Sequence, residues 1–421
     1  MDKFIVEGGV KLKGSVELSG AKNAALPILA ATLLTDGKSI IKNVPPLRDV
    51  YTMLKIMRYL GAKVEMEDDT VIVEPDGYSN YTAPYKLVST MRASICVLGP
   101  VLAKLKHAEV SMPGGCVIGP RPIDLHVKGL RSIGADIKIE HGYIIANAKE
   151  LRGSRVYLGG NFGSSVLATA NLMTASTLAK GKTVIESAAC EPEIDDLAKF
   201  LIKMGAKIKG SGTPVIEIEG VRSLHGAEHA VIYDRIEAGT FMIASAITGG
   251  DIFIKHARIE HVGALVDKLK GVGVKVARVK DGLHVKKSGS LKPVDVATLP
   301  YPGFPTDMQA QMMALMTATK GISVITEKIY PERFMHVSEL ARMGAQVFLE
   351  GPSAIVKGAT RLSGAPVMAS DLRASAALIL AGLVARGKTE ISRIYHIDRG
   401  YHNIEDKLEK LGAKIKREKE E

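Results

Sequence analysis

The sequence predicts an α/β protein of two domains, assembled from six copies of one small helix-and-strand module, and three observations carry that prediction. The chain has 421 residues, 46% of them hydrophobic, more than one hydrophobic core usually organises, so two domains of about 200 residues are expected. A short motif, an amphipathic helix closed by Gly-Ala or Gly-Val and then an alternating strand, recurs six times. Each copy also carries a second helix of different character, rich in Ala, Ser, Thr, Met and Leu on every side, and a helix that is apolar all round is buried all round.

The six motifs are Leu60-Gly61-Ala62-Lys63-Val64, Ile133-Gly134-Ala135-Asp136-Ile137, Met204-Gly205-Ala206-Lys207-Ile208, Val272-Gly273-Val274-Lys275-Val276, Met343-Gly344-Ala345-Gln346-Val347 and Leu411-Gly412-Ala413-Lys414-Ile415. Their glycines lie 73, 71, 68, 71 and 68 residues apart, a period too long for a solenoid, so each unit reads as an α/β module of its own. Each glycine stands where a helix needs a left-handed C-cap. The buried helices are expected over 23–34, 92–105, 165–179, 237–247, 308–319 and 371–385. Five are followed by a glycine turn and a β-rich run, as in Gly37-Lys38-Ser39-Ile40-Ile41, and the second turns instead through Lys104-Leu105-Lys106-His107. Each domain should therefore hold small-residue helices at its centre, with sheets and amphipathic helices outside them.

Composition narrows the partners. The chain runs from Met1-Asp2-Lys3 straight into the strand pattern Phe4-Ile5-Val6-Glu7, and its small-apolar runs, such as 374–385, are too short to cross a bilayer, so a cytoplasmic protein is expected. The formal net charge of +11 calls for anionic partners. Nucleic acid fits poorly, because the lysines are scattered, aromatics make up 5%, Trp is absent, and no basic run is interleaved with stacking residues. Small phosphorylated metabolites suit the charge better. No His, Cys and carboxylate cluster has ligand spacing, so neither a metal nor a cofactor is indicated. Three cysteines read as reduced thiols, with Cys96 and Cys190 expected as buried small hydrophobes.

Chemistry-bearing residues gather at the starts of the buried helices: Lys22-Asn23, Arg92, Ser164-Ser165, Asp234-Arg235, Thr306-Asp307 and Ser370-Asp371. Helix N-termini favour anions, so Lys22, Arg92 and Ser165 suit phosphate or carboxylate. Asp234 and Asp371 read as N-caps. For Asp307, capping by Thr306 would leave the carboxylate free to act as a base. The sharpest local signal is Pro113-Gly114-Gly115-Cys116-Val117-Ile118-Gly119-Pro120-Arg121-Pro122, whose glycines and prolines give a loop able to close over a site. Cys116, five residues from Arg121, is badly placed for core packing and well placed for chemistry.

Several of these stretches, Ser19-Gly20-Ala21-Lys22-Asn23-Ala24-Ala25-Leu26-Pro27, Met91-Arg92-Ala93-Ser94, Pro113-Gly114-Gly115-Cys116, Arg121-Pro122-Ile123-Asp124-Leu125-His126, Phe304-Pro305-Thr306-Asp307-Met308-Gln309-Ala310-Gln311, Arg333-Phe334-Met335-His336, Ser370-Asp371-Leu372-Arg373-Ala374-Ser375 and His396-Ile397-Asp398-Arg399-Gly400-Tyr401, resemble those of the UDP-N-acetylglucosamine enolpyruvyl transferases of peptidoglycan synthesis. The likeness runs from end to end. It implies an inside-out α/β barrel of six βαβαββ-type repeats, in two domains of three repeats facing one another across a cleft. One domain would comprise 1–20 plus 232–421 and carry Asp307 and Arg399, and the other would comprise 21–231 and carry the Cys116 loop.

Residue by residue, the resemblance implies that Lys22, Arg121 and Arg399 hold phosphoenolpyruvate, with Asn23 beside them orienting the sugar nucleotide. Asp307 would take the proton from the sugar 3-hydroxyl as it attacks C2, while Cys116 protonates C3. Arg92, with Arg121, Pro122, Ile123, Asp124 and Leu125, would bind the UDP portion, and Gly163, Ser164, Ser165, Val166 and Ile329 would complete that site. Arg333, Asp371 and Arg373 match positions near the cleft. One stretch departs from the pattern: where the family carries a basic residue and a Ser-Val-Gly-Ala-Thr-Glu-Asn run, this chain reads Gly163-Ser164-Ser165-Val166-Leu167-Ala168-Thr169-Ala170-Asn171. Small-molecule substrates are the expected partners, with no nucleic acid, no membrane, and a monomer the expectation. Two other readings stand beside this one, a shikimate-3-phosphate enolpyruvyl transferase and a non-catalytic sugar-nucleotide-binding paralogue.

Overall fold

The computed structural model describes residues 2–114, 122–358 and 361–420. These divide into two compact units, one formed by residues 20–232 and the other by residues 2–19 with 233–420. Each unit contains three four-stranded sheets of one shared topology. In the sheet centred on His107–Ser111, that strand pairs parallel with the short edge strand Thr82–Ala83 and antiparallel with Tyr143–Asn147, which in turn pairs antiparallel with Asp136–Glu140. Between them run a buried helical segment before the central strand and an amphipathic helix after it, giving β-α-β-α-β-β in sequence.

The modules are closed by strands from distant parts of the chain. Glu228–Ala230 pairs parallel with Ser39–Lys42, so the last strand of residues 20–232 completes that unit's first sheet. The N-terminal segment serves the other unit twice. Asp2–Glu7 pairs antiparallel with both Lys388–Ser392 and Lys414–Lys419, and Lys13–Glu17 pairs parallel with Asp251–Lys255.

At the centre of each unit lie helices with no solvent-facing side. All nine residues of Gln309–Thr317 and all eleven of Leu372–Gly382 are buried, and these helices pack on one another and on Arg235–Thr248. In the other unit, Lys22–Ala31, Leu98–Leu105 and Val166–Ser176 play the same part. Each fully buried Leu, Ile or Met contributes about 1.5–3 kcal/mol, while the many alanines let the helix axes come close. Gly99 shows how close: a Cβ there would lie 2.4 Å from the Asn171 carbonyl oxygen. Outside them, Arg48–Leu60 is amphipathic, burying Val50, Met53, Leu54, Ile56, Met57 and Leu60 while Tyr51, Lys55 and Tyr59 face solvent.

All six repeat glycines adopt the left-handed conformation expected of them, with φ from 90° at Gly344 to 110° at Gly61. The glycine-less turn of the second repeat uses the same conformation at Lys106, φ 63°. Val166–Ser176, Gln309–Thr317 and Leu372–Gly382 are shorter than expected from sequence, whereas Arg235–Thr248 extends beyond the expected 237–247 at both ends. The segment expected to be helical over 92–105 begins as a 3-10 helix, Arg92–Val97, before the α-helix Leu98–Leu105. Among the described residues no helix is long and apolar enough to cross a membrane.

Candidate active site

In the unit formed by residues 20–232, the N-terminus of Lys22–Ala31 carries no side-chain cap, and the positive end of its dipole favours an anion there. Lys22, its first residue, is 8% exposed, and its Nζ lies 3.1 Å from Oδ2 of Asp49, itself buried. Asn23 follows, half-buried. Arg92 donates from Nη2 to the Pro122 carbonyl at 3.1 Å, tying the start of one helical segment to the stretch that leads into Asp124–Ser132. Ile123 is buried, Asp124 exposed and Leu125 half-buried. Cys116 and Arg121 lie outside the described residues.

Behind this surface sits a buried polar junction. Asn171 accepts from Gly99 N–H through Oδ1 at 2.8 Å, and its Nδ2 lies 2.9 Å from both the Ile95 carbonyl and Nδ1 of His126. Burial, helped by the positive charge of Arg92, pushes His126 down to about 3, so the ring is neutral and its Nδ1 accepts. Three segments that present Arg92, Leu125 and Ser165 are thereby fastened together.

The stretch that departs from the family pattern forms a tight hairpin. Gly163–Ser164 pairs with Gly159–Gly160, Gly163 adopts φ 94°, and Ser165 caps Val166–Ser176 by accepting from Ala168 N–H at 3.3 Å. The cap satisfies one of the orphan donors at that helix start.

In the other unit, Asp307 lies in a 3-10 turn, Thr306–Met308. Its carboxylate bridges two guanidiniums, with Arg333 Nη1 at 2.9 Å from Oδ1 and Arg373 Nη2 at 3.0 Å from Oδ2. Both arginines are buried, while the Asp307 side chain keeps 27% of its surface exposed. Burial by itself would raise the carboxyl's pKa, but the two adjacent positive charges outweigh it and hold Asp307 well below the usual carboxylate range. Arg373 also lies against the face of Tyr401, 5.4 Å from the ring centroid, and Tyr401 shares a 2.7 Å hydrogen bond with Thr240. Arg399 closes the 3-10 helix Ile394–Arg399, half-buried.

Three expectations need correction. Thr306 does not cap its turn: Pro305 occupies that position, and the Thr306 hydroxyl instead donates to Glu327 Oε2 at 2.8 Å and accepts from Arg333 at 3.0 Å. Asp307 is accordingly not free but doubly ion-paired. Cys190 is half-buried rather than buried, with Sγ 3.6 Å from the Ala188 carbonyl, whereas Cys96 is fully buried and its thiol is pushed up to about 12. Asp234 and Asp371 do cap their helices, each accepting two backbone N–H bonds. No signal in the sequence points to Glu327, whose Oε1 accepts from the backbone N–H of Ile329 at 2.9 Å.

A fold of repeated β-α-β-α-β-β modules around buried helices, with an arginine-clamped aspartate in one unit and a lysine at an uncapped helix start in the other, is that of the enolpyruvyl transferases. The chain belongs to the EPSP synthase (3-phosphoshikimate 1-carboxyvinyltransferase) family, whose profile matches residues 6–408. It is 57% identical over 415 residues, with 99% of each chain covered, to a protein of Caldanaerobacter subterraneus subsp. tengcongensis named UDP-N-acetylglucosamine 1-carboxyvinyltransferase 1. A Myxococcus xanthus protein named UDP-N-acetylglucosamine 1-carboxyvinyltransferase is 54% identical over 423 residues, with each chain fully covered. Among solved structures, the enolpyruvyl transferase NikO from Streptomyces tendae superposes with a TM-score of 0.88 at 23% identity, covering 99% of this chain and 98% of that one. EPSP synthase from Acinetobacter baumannii gives 0.74 at 20% identity, with both chains fully covered.

Proposed function

We propose that this protein transfers the enolpyruvyl group of phosphoenolpyruvate to the 3-hydroxyl of UDP-N-acetylglucosamine, releasing phosphate, as a cytoplasmic enzyme committing the sugar nucleotide to cell-wall peptidoglycan. The observation that carries the reading is 57% identity along 99% of the chain to a UDP-N-acetylglucosamine 1-carboxyvinyltransferase, against 20% to a shikimate-pathway EPSP synthase.

In this reading Lys22, Arg121 and Arg399 hold the phosphate and carboxylate of phosphoenolpyruvate, where a planar guanidinium suits a bidentate grip. Arg92, Pro122, Ile123, Asp124 and Leu125 bind the uridine end, Gly163, Ser164, Ser165 and Val166 take the diphosphate on backbone N–H groups and hydroxyls, and Asn23 and Ile329 flank the sugar. The reaction proceeds by addition and elimination. The 3-hydroxyl oxygen bonds to C2 of phosphoenolpyruvate, its proton passes to Asp307, and the Cys116 thiol gives a proton to C3. The C2–O bond to phosphate then breaks, a C3 proton returns to the sulfur, and phosphate leaves with the proton held by Asp307.

Asp307 clamped by Arg333 and Arg373 is a weak base, since basicity falls with pKa. Anionic substrates competing for the two guanidiniums loosen the clamp and restore the carboxylate's proton affinity when the hydroxyl is in place. Phosphate release measured with UDP-N-acetylglucosamine, with shikimate 3-phosphate and with no acceptor tests the reading. Release with the sugar nucleotide alone supports it, release with shikimate 3-phosphate replaces it, and binding without release identifies a non-catalytic relative.

A further inference from the structure

We infer that Glu327 is a positioning residue for the Asp307 base, acting through the hydroxyl of Thr306 and the guanidinium of Arg333; this rests on the transferase reading above. Its side chain is 0% exposed and accepts four hydrogen bonds. Oε1 receives Thr298 Oγ1 at 2.6 Å, Ile329 N–H at 2.9 Å and Tyr330 N–H at 3.1 Å, and Oε2 receives Thr306 Oγ1 at 2.8 Å. Thr298 in turn accepts from Lys328 N–H at 2.8 Å. One carboxyl group thus fastens the end of a short edge strand, the turn before Asp307 and the loop bearing Ile329.

The directions of these bonds are fixed by chemistry. Arg333 has donors only, so its Nη1, 3.0 Å from Thr306 Oγ1, makes that oxygen an acceptor. The single hydroxyl proton of Thr306 must then go to Glu327. The same Nη1 reaches Asp307 Oδ1 at 2.9 Å. The relay therefore runs from Arg333 to Thr306 to Glu327 on one side and from Arg333 to Asp307 on the other, and it fixes the plane of the guanidinium that holds the base. A fully satisfied buried network of this kind specifies one geometry, and a half-satisfied one loses it. With an amide at Oε2, the Thr306 proton loses its acceptor, turns elsewhere, and competes with Arg333.

The test uses the full-length enzyme and steady-state phosphate release, with the dissociation constant for UDP-N-acetylglucosamine measured separately by calorimetry. Glu327→Gln and Thr306→Val are each expected to lower kcat about 10- to 100-fold while leaving that dissociation constant within about threefold. Combining them should cost little more than either alone, because both break one relay, and Thr306→Ser, which keeps the hydroxyl, should recover most of the turnover lost in Thr306→Val. Losses that multiply in the double variant, or wild-type kcat in Glu327→Gln, overturn the inference. Should Glu327→Gln fail to fold, the contrast between Thr306→Val and Thr306→Ser decides alone, equal kcat overturning it. A wild-type protein that releases no phosphate refutes the transferase reading itself, a result separate from any of these.

Discussion

Arg373 reaches Asp307 from a side chain that is only 3% exposed, its Nη2 lying 3.0 Å from Oδ2, so the proposed base is anchored from inside the core while its other face meets solvent. The aspartate is held by a charge with little access to water, and removing the carboxylate leaves that charge balanced only by the Tyr401 ring and the Asp234 carboxylate. Buried pairs broken on one side are costly because the survivor keeps its desolvation penalty.

Asp307→Asn is therefore expected to lower kcat about 10²- to 10⁴-fold and to destabilise the fold by a few kcal/mol, roughly the 3–5 kcal/mol of a buried pair broken on one side, reduced by the partial exposure of the carboxylate. Its folded-state pKa is depressed, so the ion pair's contribution is complete above the unfolded value near 3.9 and is lost as pH falls toward the folded one. Urea denaturation should show a gap between wild type and variant that is full at pH 7 and narrows below about pH 4.

His126 and His336 are both buried with pKa values pushed down, to about 3 and about 4, in each case first by burial. The unfolded chain takes up protons that the folded one refuses, so each histidine contributes stability above about pH 6.5 that is lost as the pH falls below it. Each should add a slope of up to about 1.4 kcal/mol per pH unit between pH 6 and 5. Denaturation across that window checks this, together with imidazole NMR signals that stay neutral to pH 5.

Gly99→Ala should destabilise by about 1–3 kcal/mol through overpacking, because the new methyl meets the Asn171 carbonyl at 2.4 Å and the Thr174 hydroxyl at 2.7 Å. The helices Leu98–Leu105 and Val166–Ser176 must separate, and the Asn171 junction behind Arg92 and Ser165 opens with them. Thermal melting reports the loss, and a raised dissociation constant for the sugar nucleotide reports its arrival at the site.

Cys116→Asp keeps a group that exchanges a proton at C3 and removes the thiol. Turnover should persist while inactivation by thiol-directed alkylating agents disappears. Complete loss of activity would contradict the general-acid role.

Much of this was legible in the sequence because it is local. A helix C-cap needs a left-handed residue within one or two positions of the last turn, so Gly61, Gly134, Gly205, Gly273, Gly344 and Gly412 announced six modules, and all-round apolarity announced the central helices. Asp234 and Asp371 were recognisable as caps because their partners lie two and three residues on. The clamp on Asp307 was not legible, since Arg333 and Arg373 stand 26 and 66 residues away. Glu327 escaped for the same reason: a lone Glu after Ile325-Thr326 reads as the solvated end of a strand, and its burial arises only when Thr298, Thr306 and its own following loop converge on it. Asp2–Glu7 joining strands from the far end of the chain likewise follows from closing a module, which no window of sequence displays.

The fate of the bridging oxygen tests the proposed chemistry most directly. With phosphoenolpyruvate carrying ¹⁸O between C2 and phosphorus, addition at C2 followed by elimination predicts that the label leaves in inorganic phosphate and that the sugar nucleotide gains an unlabelled enolpyruvyl ether at its 3-position. Label retained in an organic product, with unlabelled phosphate released, would mean attack at phosphorus and would contradict the proposed roles of Asp307 as base and Cys116 as acid.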